Sequence, residues 1–201
     1  AAVSRDSPPV FNNILAYKDE VVPWMRELTD ACHEHGTAVM IQLTHLGRRT
    51  RWDKGDWLPV VSASNHREAS HRAYPKKAEL WDIERLIQDY TDAAERMYAA
   101  GLDGLEIQAY GHLMDQFWSP LVNFRTDGYG GYLGNRLRLT MEVLEAVQTA
   151  ADGRLLVGLR MLGTEDQPGG LDEEDCCEIA VTLATSGLLD FLNVAGPAEH
   201  D

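Results

Sequence analysis

Six side chains in this sequence stand where chemistry is expected: Gln42, His45, Gln108, Tyr110, His112 and Arg160. Each lies at or just past the C-terminal end of a short apolar run, the runs being AVMIQL, GLEIQ and LLVGLR. An apolar run that ends in functional side chains reads as a buried barrel strand presenting chemistry at its C-terminal end. The set contains amides, imidazoles, a phenol and a fixed cation, but no pair of carboxylates. That mixture suits a planar polar cofactor better than hydrolysis. Gln42 can both donate and accept, which matches a ring edge of alternating C=O and N–H groups. Arg160 is a permanent cation able to stabilise negative charge on a reduced ring. The same residue types also serve as satisfied structural groups at strand ends, and His45 fits a pocket wall and a structural role equally. No metal site is expected.

The elements that must position these groups follow from periodicity. Residues Val21 to His35 read as a helix, with Val21, Val22, Met25, Leu28, Ala31 and Cys32 at helical spacing and Gly36 as its stop. AVMIQL then reads as a strand buried on both faces. From residue 47 to 80 no period holds, although Trp52, Trp57 and many charges lie there, so this is a first long excursion. Asp82 is placed to cap the clearest helix, whose apolar face runs Ile83, Leu86, Ile87, Tyr90, Ala93, Ala94, Met97 and Tyr98 before Gly101. GLEIQ follows, then a second excursion over residues 109–134. Further helices are predicted from Asn135 to Ala151 and after Asp172, with strands at LLVGLR and LDFLNV.

A helix in every interval between strands makes the strands parallel with right-handed crossovers. Such an α/β pattern fits a doubly wound sheet or a (β/α)8 barrel. The absence of a G-x-G-x-x-G turn and the recurrence of polar residues at strand ends favour the barrel. A complete barrel needs roughly 250 residues, so four strands make about half of one.

The net charge of −14 argues against a nucleic-acid-binding surface and against docking on anionic membranes. Cys32, Cys176 and Cys177 show no C-x-x-C spacing and read as reduced thiols of a cytoplasmic protein. The sequence starts without Met and stops just past a strand-like run. Residues 1–201 are therefore expected to be a fragment of a single barrel domain, truncated at both ends.

The runs QLTHLGRR, EIQAYGHLMDQFWSP, N-x-RTD-x-YGG-x-L-x-NR and VGLRM resemble, in order and setting, the old yellow enzyme family of FMN-dependent NADH:flavin oxidoreductases. The likeness runs from about Pro8 to Val194. It is greatest to the branch of trimethylamine dehydrogenase and the dimethylglycine and N-methylproline demethylases. The resemblance implies an FMN-binding TIM barrel of which this chain holds approximately strands 3–6. It assigns Gln42 to the flavin pyrimidine and Arg160 to the flavin N1 and O2 region. It also implies a 4Fe-4S cluster and a second dinucleotide in the full-length protein, outside this segment.

After Glu106 the sequence departs from the family pattern E-[IL]-H-x-A-[HN]-G-Y-L. Gln108 stands where the first His is expected, Tyr110 at the second His/Asn position, and His112 where ene-reductases keep a proton-donating Tyr. Loss of the two-donor clamp on a substrate oxygen disfavours alkene reduction. A tyrosine face suits an alkylammonium instead. The expected function is oxidative N-demethylation of a small methylated amine or N-methyl amino acid. Tyr110 and His112 are assigned to catalysis, and His45, Gln108 and Tyr110 to substrate binding. Its partners are the small-molecule substrate and an electron acceptor or NAD(P)H. Three other readings stay open: an NAD(P)H-dependent ene or dienoyl reductase, a barrel hydrolase using Glu106 and Asp115, and a truncated segment without catalysis of its own.

Overall fold

The computed structural model describes residues 1–7, 13–50, 58–68 and 74–196. Pro8, Trp52 and Trp57, used above, lie outside these residues. The described elements, in chain order, are α1 (Val21–His33), β1 (Met40–Leu43), β2 (Val61–Ser62), β3 (Lys76–Lys77), α2 (Leu80–Ala99), β4 (Gly104–Gln108), α3 (Leu113–Trp118), α4 (Leu133–Arg136), α5 (Arg138–Ala151), β5 (Leu156–Leu162), α6 (Glu173–Thr185) and β6 (Phe191–Ala195). A 3-10 turn, Gly47–Arg49, follows β1.

Four strands form one parallel sheet in the order β1-β4-β5-β6. In-register parallel pairing puts paired residues on the same face, and successive residues on opposite faces. One face carries Leu43, Leu105, Ile107, Val157, Leu159 and Met161, all buried in one core with the inward residues of α2 and α5. The other face carries Met40 and Leu156, which are exposed, together with Gln42, Glu106, Gln108, Arg160 and Asn193. Among the described residues, helices cover only one side of the sheet. That is a segment of a barrel wall, not a doubly wound sheet, which needs helices on both sides.

The outer strand β1 and the helix before it differ from expectation. β1 was expected to be buried on both faces, but Met40 is 43% exposed and Ile41 and Gln42 are half-buried. The reason is position: within this sheet, β1 pairs only with β4. The apolar stripe of α1 is likewise thin, with Met25 and Thr29 buried but Leu28 and Ala31 exposed. Asp82 does not cap α2 from outside. Glu79 is the N-cap, and Asp82 sits three residues on, accepting the Glu79 N–H at 2.8 Å and the Lys76 ammonium at 2.6 Å. The expected apolar face of α2 is present, with Ile87 and Tyr98 only half-buried.

The two excursions are fastened to each other. The first contributes the short parallel pair β2–β3. The second sends Arg125, almost fully buried, across to it: Nη1 donates to the carbonyls of Ala63 and Ala78 at 3.2 and 2.6 Å. Nε and Nη2 grip both carboxylate oxygens of Asp127 at 2.9 and 2.7 Å. Within the R-T-D motif this makes a bidentate charge-assisted clamp. Gln116 adds a second fastening, accepting from Arg48 N–H and Ser62 Oγ and donating to the Leu46 carbonyl, each at 2.9 Å. Trp118 is core, with its indole N–H on Thr140 Oγ1 at 2.8 Å.

Gly104 opens β4 where no side chain fits. A Cβ there would lie 2.7 Å from the Leu156 carbonyl oxygen of the neighbouring strand and 2.6 Å from the Met40 methyl. Gly104→Ala should therefore lower unfolding free energy by about 1–3 kcal/mol, the usual cost of overpacking. Arg125→Met should cost about 3 kcal/mol or more, because it strands two buried carbonyls and the Asp127 carboxylate. Chemical denaturation of each variant beside the wild type checks both values.

Candidate active site

The concave face of the sheet is organised by Glu106. Its carboxylate accepts from Gln42 Nε2 on β1 at 2.5 Å and from Asn193 Nδ2 on β6 at 3.0 Å. Asn193 reaches past β5 because the residue beside Glu106 on that strand is Gly158. Glu106, a candidate acid of the hydrolase reading, is held by two amides. A side-chain amide that donates to a carboxylate leaves its own oxygen as an acceptor, so Gln42 keeps one acceptor for a ring N–H.

One layer further along, Gln108 and Arg160 are register partners. Each ends in a buried atom without a hydrogen-bond partner among the described residues: Gln108 Oε1, an acceptor, and Arg160 Nε, a donor. An unsatisfied buried polar atom costs about 1–3 kcal/mol, so two on one face mark a place where a polar group from elsewhere completes the fold. Strand parity puts Gln42, Gln108 and Arg160 on the same face. A donor, an acceptor and an amide on one concave surface fit the polar edge of a flavin-like ring.

Above this face, at the C-terminal ends of β4 and β5, lies a cleft of about 440 Å³. Its wall includes Arg48, Arg49, Tyr110, Gly111, Asp115 and Glu165. The turn after β4 is tightly held. Ala109 and Tyr110 both donate to the Arg160 carbonyl, at 2.9 and 3.2 Å, and Leu113 N–H donates to the His45 carbonyl at 2.9 Å. Gly111 has φ +67°, a left-handed backbone that favours glycine, while a Cβ there would meet only the movable end of the Arg49 side chain. Asp115 closes the turn from α3, its Oδ2 accepting Gly111 N–H at 2.7 Å.

His112 is mostly buried, with Nδ1 2.5 Å from Thr44 Oγ1. Burial first, and the Arg49 charge second, push its pKa down to about 4, so the ring is neutral near pH 7. Burial, and then the Glu165 carboxylate, push Asp115 up to about 7. Burial also lowers Arg48.

His45 corrects the sequence expectation. It was a candidate for substrate binding, but it is fully buried and both ring nitrogens are used. Nδ1 accepts from Gly47 N–H at 3.0 Å, so the proton sits on Nε2, 2.9 Å from Asp6 Oδ1. His45 and Arg85 hold Asp6, whose pKa is lowered, and together they fix the loop after β1. The structure brings Tyr110 to the cleft, places Gln108 on the concave face and leaves His45 in the scaffold. Arg48, Arg49 and Glu165 were missed as cleft residues. Asp115 was weighed only as a hydrolase acid. The available signal was an aspartate inside the apolar run L-M-D-Q-F-W, where a charge needs a reason.

Comparison with known proteins adds an independent line. A model of the NADH:flavin oxidoreductase / NADH oxidase family matches residues 1–194. The chain is 60% identical over 194 residues to the probable N-methylproline demethylase of Rhizobium meliloti (strain 1021), covering 96% of this chain and 29% of that protein. It is 44% identical over 192 residues to the multifunctional alkene reductase/demethylase OYE of Caballeronia cordobensis, covering 96% of this chain and 28% of that protein. The chain thus spans under a third of the length of these curated relatives. The structure of the old yellow enzyme homologue from Zymomonas mobilis superposes with a TM-score of 0.87 at 25% identity, covering 97% of this chain and 58% of that one. The fold is therefore part of a (β/α)8 TIM barrel.

The raised Asp115 pKa has a consequence for stability. A carboxyl that holds its proton more tightly folded than unfolded costs nothing at low pH. It costs progressively more as pH rises from its unfolded value through about 7. Asp115→Asn should therefore be the more stable form at pH 8, by a few kcal/mol at about 1.4 kcal/mol per pKa unit. The gap should close as pH falls toward 4, as measured by urea unfolding of both proteins at each pH.

Proposed function

Because this chain belongs to the NADH:flavin oxidoreductase / NADH oxidase family, we propose that the protein is an FMN-dependent oxidoreductase. Its reaction is oxidative removal of an N-methyl group from a small methylated amine or N-methyl amino acid. Residues 1–201 are one segment of a single FMN-binding barrel domain in this proposal. The enzyme works in the cytoplasm and passes electrons to an acceptor or exchanges them with NAD(P)H. A 4Fe-4S cluster and a second dinucleotide site belong, in this view, to other parts of the protein.

The observation that carries the proposal is the unsatisfied pair Arg160 Nε and Gln108 Oε1, buried beside Gln42 beneath an open cleft. Gln42 and Arg160 would hold the polar edge of FMN, with Arg160 placed to stabilise negative charge there. Bound in this way, FMN supplies a two-electron acceptor for the N-methyl carbon. The remaining work falls to the chain. Tyr110 offers an aromatic face to an alkylammonium, an attraction of about 1–2 kcal/mol when desolvated. His112, neutral near pH 7, offers a hydrogen-bonding ring without adding a positive charge against that cation. The oxidised substrate, an iminium, is hydrolysed by water to formaldehyde and the demethylated amine. The 60% identity to a probable N-methylproline demethylase supports this choice of reaction.

Anaerobic addition of N-methylproline or dimethylglycine to the full-length flavin-loaded protein should bleach the oxidised flavin spectrum and release formaldehyde. If neither amine bleaches it, while an enone rapidly reoxidises the reduced flavin, alkene reduction replaces demethylation as the function.

A further inference from the structure

Asp115 is an odd residue for a scaffold. It lines the cleft beside Tyr110 and Gly111, yet it is only 8% exposed. Oδ2 does the structural work by accepting Gly111 N–H at 2.7 Å. Oδ1 is buried and has no hydrogen-bond partner among the described residues. Anchoring the turn needs one oxygen only, and an asparagine would supply it without a charge. Keeping a carboxyl there leaves an acceptor waiting in a desolvated place, which is costly unless something from the cleft completes it.

The proposed chemistry requires such an acceptor. A methylated amine is an ammonium in neutral water, and removing a hydride from its methyl carbon needs the nitrogen lone pair to be free. The proton must leave first, and an acceptor fixed in the cleft wall can take it without waiting for solvent. We propose that the Asp115 carboxyl, which lines the cleft, receives this proton from the N–H of the bound alkylammonium. The N–H bond breaks with its electron pair remaining on nitrogen, and an O–H bond forms on the carboxyl. The products are a neutral amine and a carboxylic acid, and nothing is oxidised or reduced in this step. The proton leaves later to solvent through the cleft mouth. This assignment rests on the demethylase reading for its reaction, but its ligand is any protonated amine seated in the cleft.

The charged and titratable groups facing Asp115 come from three elements. Arg48 and Arg49, after β1, favour its carboxylate. Glu165, in the loop between β5 and α6, opposes it. Cys176, on α6, has its thiol pushed up to about 12 by burial first and by the nearby Asp115 charge second. Burial outweighs the arginines, and a carboxyl that titrates near about 7 can take a proton and return it under neutral conditions.

The experiment uses the full-length flavin-loaded protein as wild type, Asp115→Asn and Asp115→Glu. Anaerobic flavin reduction by saturating N-methylproline is followed across the pH range around Asp115's titration. The wild type should show an acid limb with an apparent pKa near about 7. Asp115→Asn should be slower by about 10²-fold or more, the usual scale for a lost proton acceptor, and should lack the limb. Asp115→Glu should restore part of the rate and shift the limb. Infrared difference spectra, taken as proline binds above the pH of that limb, give a readout independent of turnover. A carboxylic-acid C=O band should rise in the wild type and be missing in Asp115→Asn. Wild-type rate and limb in Asp115→Asn, or no such band in the wild type, overturns the assignment. If no N-methyl amine reduces the flavin at any pH, the demethylase reading fails, while the infrared band still decides whether Asp115 takes a proton from a bound amine. Should Asp115→Asn not fold, ¹³C labelling of the aspartates in the wild type, with Asp115→Glu as reference, assigns the band.

Discussion

The in-register parallel pairing of β4 with a strand on each side is the constraint on which this molecule depends. Pairing fixes parity, and parity sorts every residue of the strand. Leu105 and Ile107 go to the helices, while Glu106 and Gln108 go to the concave face. A slip of one residue would send the carboxylate into the core and the leucine to the site, so the apolar packing and the polar chemistry enforce the same register. Gly104 and Gly158 allow the close approach that this register demands, one against the Leu156 carbonyl and one against the Phe191 ring.

Above the sheet, rigidity comes from polar side chains used as fasteners. Arg125 and Gln116 each bond to two or more segments distant in sequence, and each is nearly buried. A buried fastener of this kind is satisfied only in one arrangement, so it specifies geometry as well as adding stability. Gln116 itself lines the cleft, and Arg125 holds the two excursions together behind it. The same logic explains His45, which spends both ring nitrogens on Asp6 and Gly47 to hold the loop that carries Arg48 and Arg49.

Burial then sets the protonation states. Desolvation pushes acids up and bases down, and at the start of α3 it does both, with Arg49 and Glu165 adding to it: His112 falls to about 4 and Asp115 rises to about 7. The result is a histidine that is neutral near pH 7 and a carboxyl that changes its charge there. The fixed cations of the cleft wall, Arg48 and Arg49, stand on one side of Asp115, and the Glu165 carboxylate opposes it.

The residue pattern by itself determined the order of the four sheet strands and the helices between them, the parallel α/β class and the placement of polar groups at strand ends, but not β2, β3, α3 and α4, which lie in or at the edge of the two excursions. Each of these is carried by local periodicity and by single glycines, which act within a few residues of themselves. Only the tertiary structure decided which face each strand shows to solvent, because burial of β1 depends on what lies beside it and not on its own apolar letters. Tertiary structure also decided between pocket and scaffold for His45, through partners 39 and 2 residues away along the chain. Asp115 is the clearest case. Its sequence context shows an acid among apolar neighbours, but the bare Oδ1 and the opposing Glu165 exist only once loops from two other strands close over it, since desolvation and Coulomb repulsion are properties of distance and not of sequence.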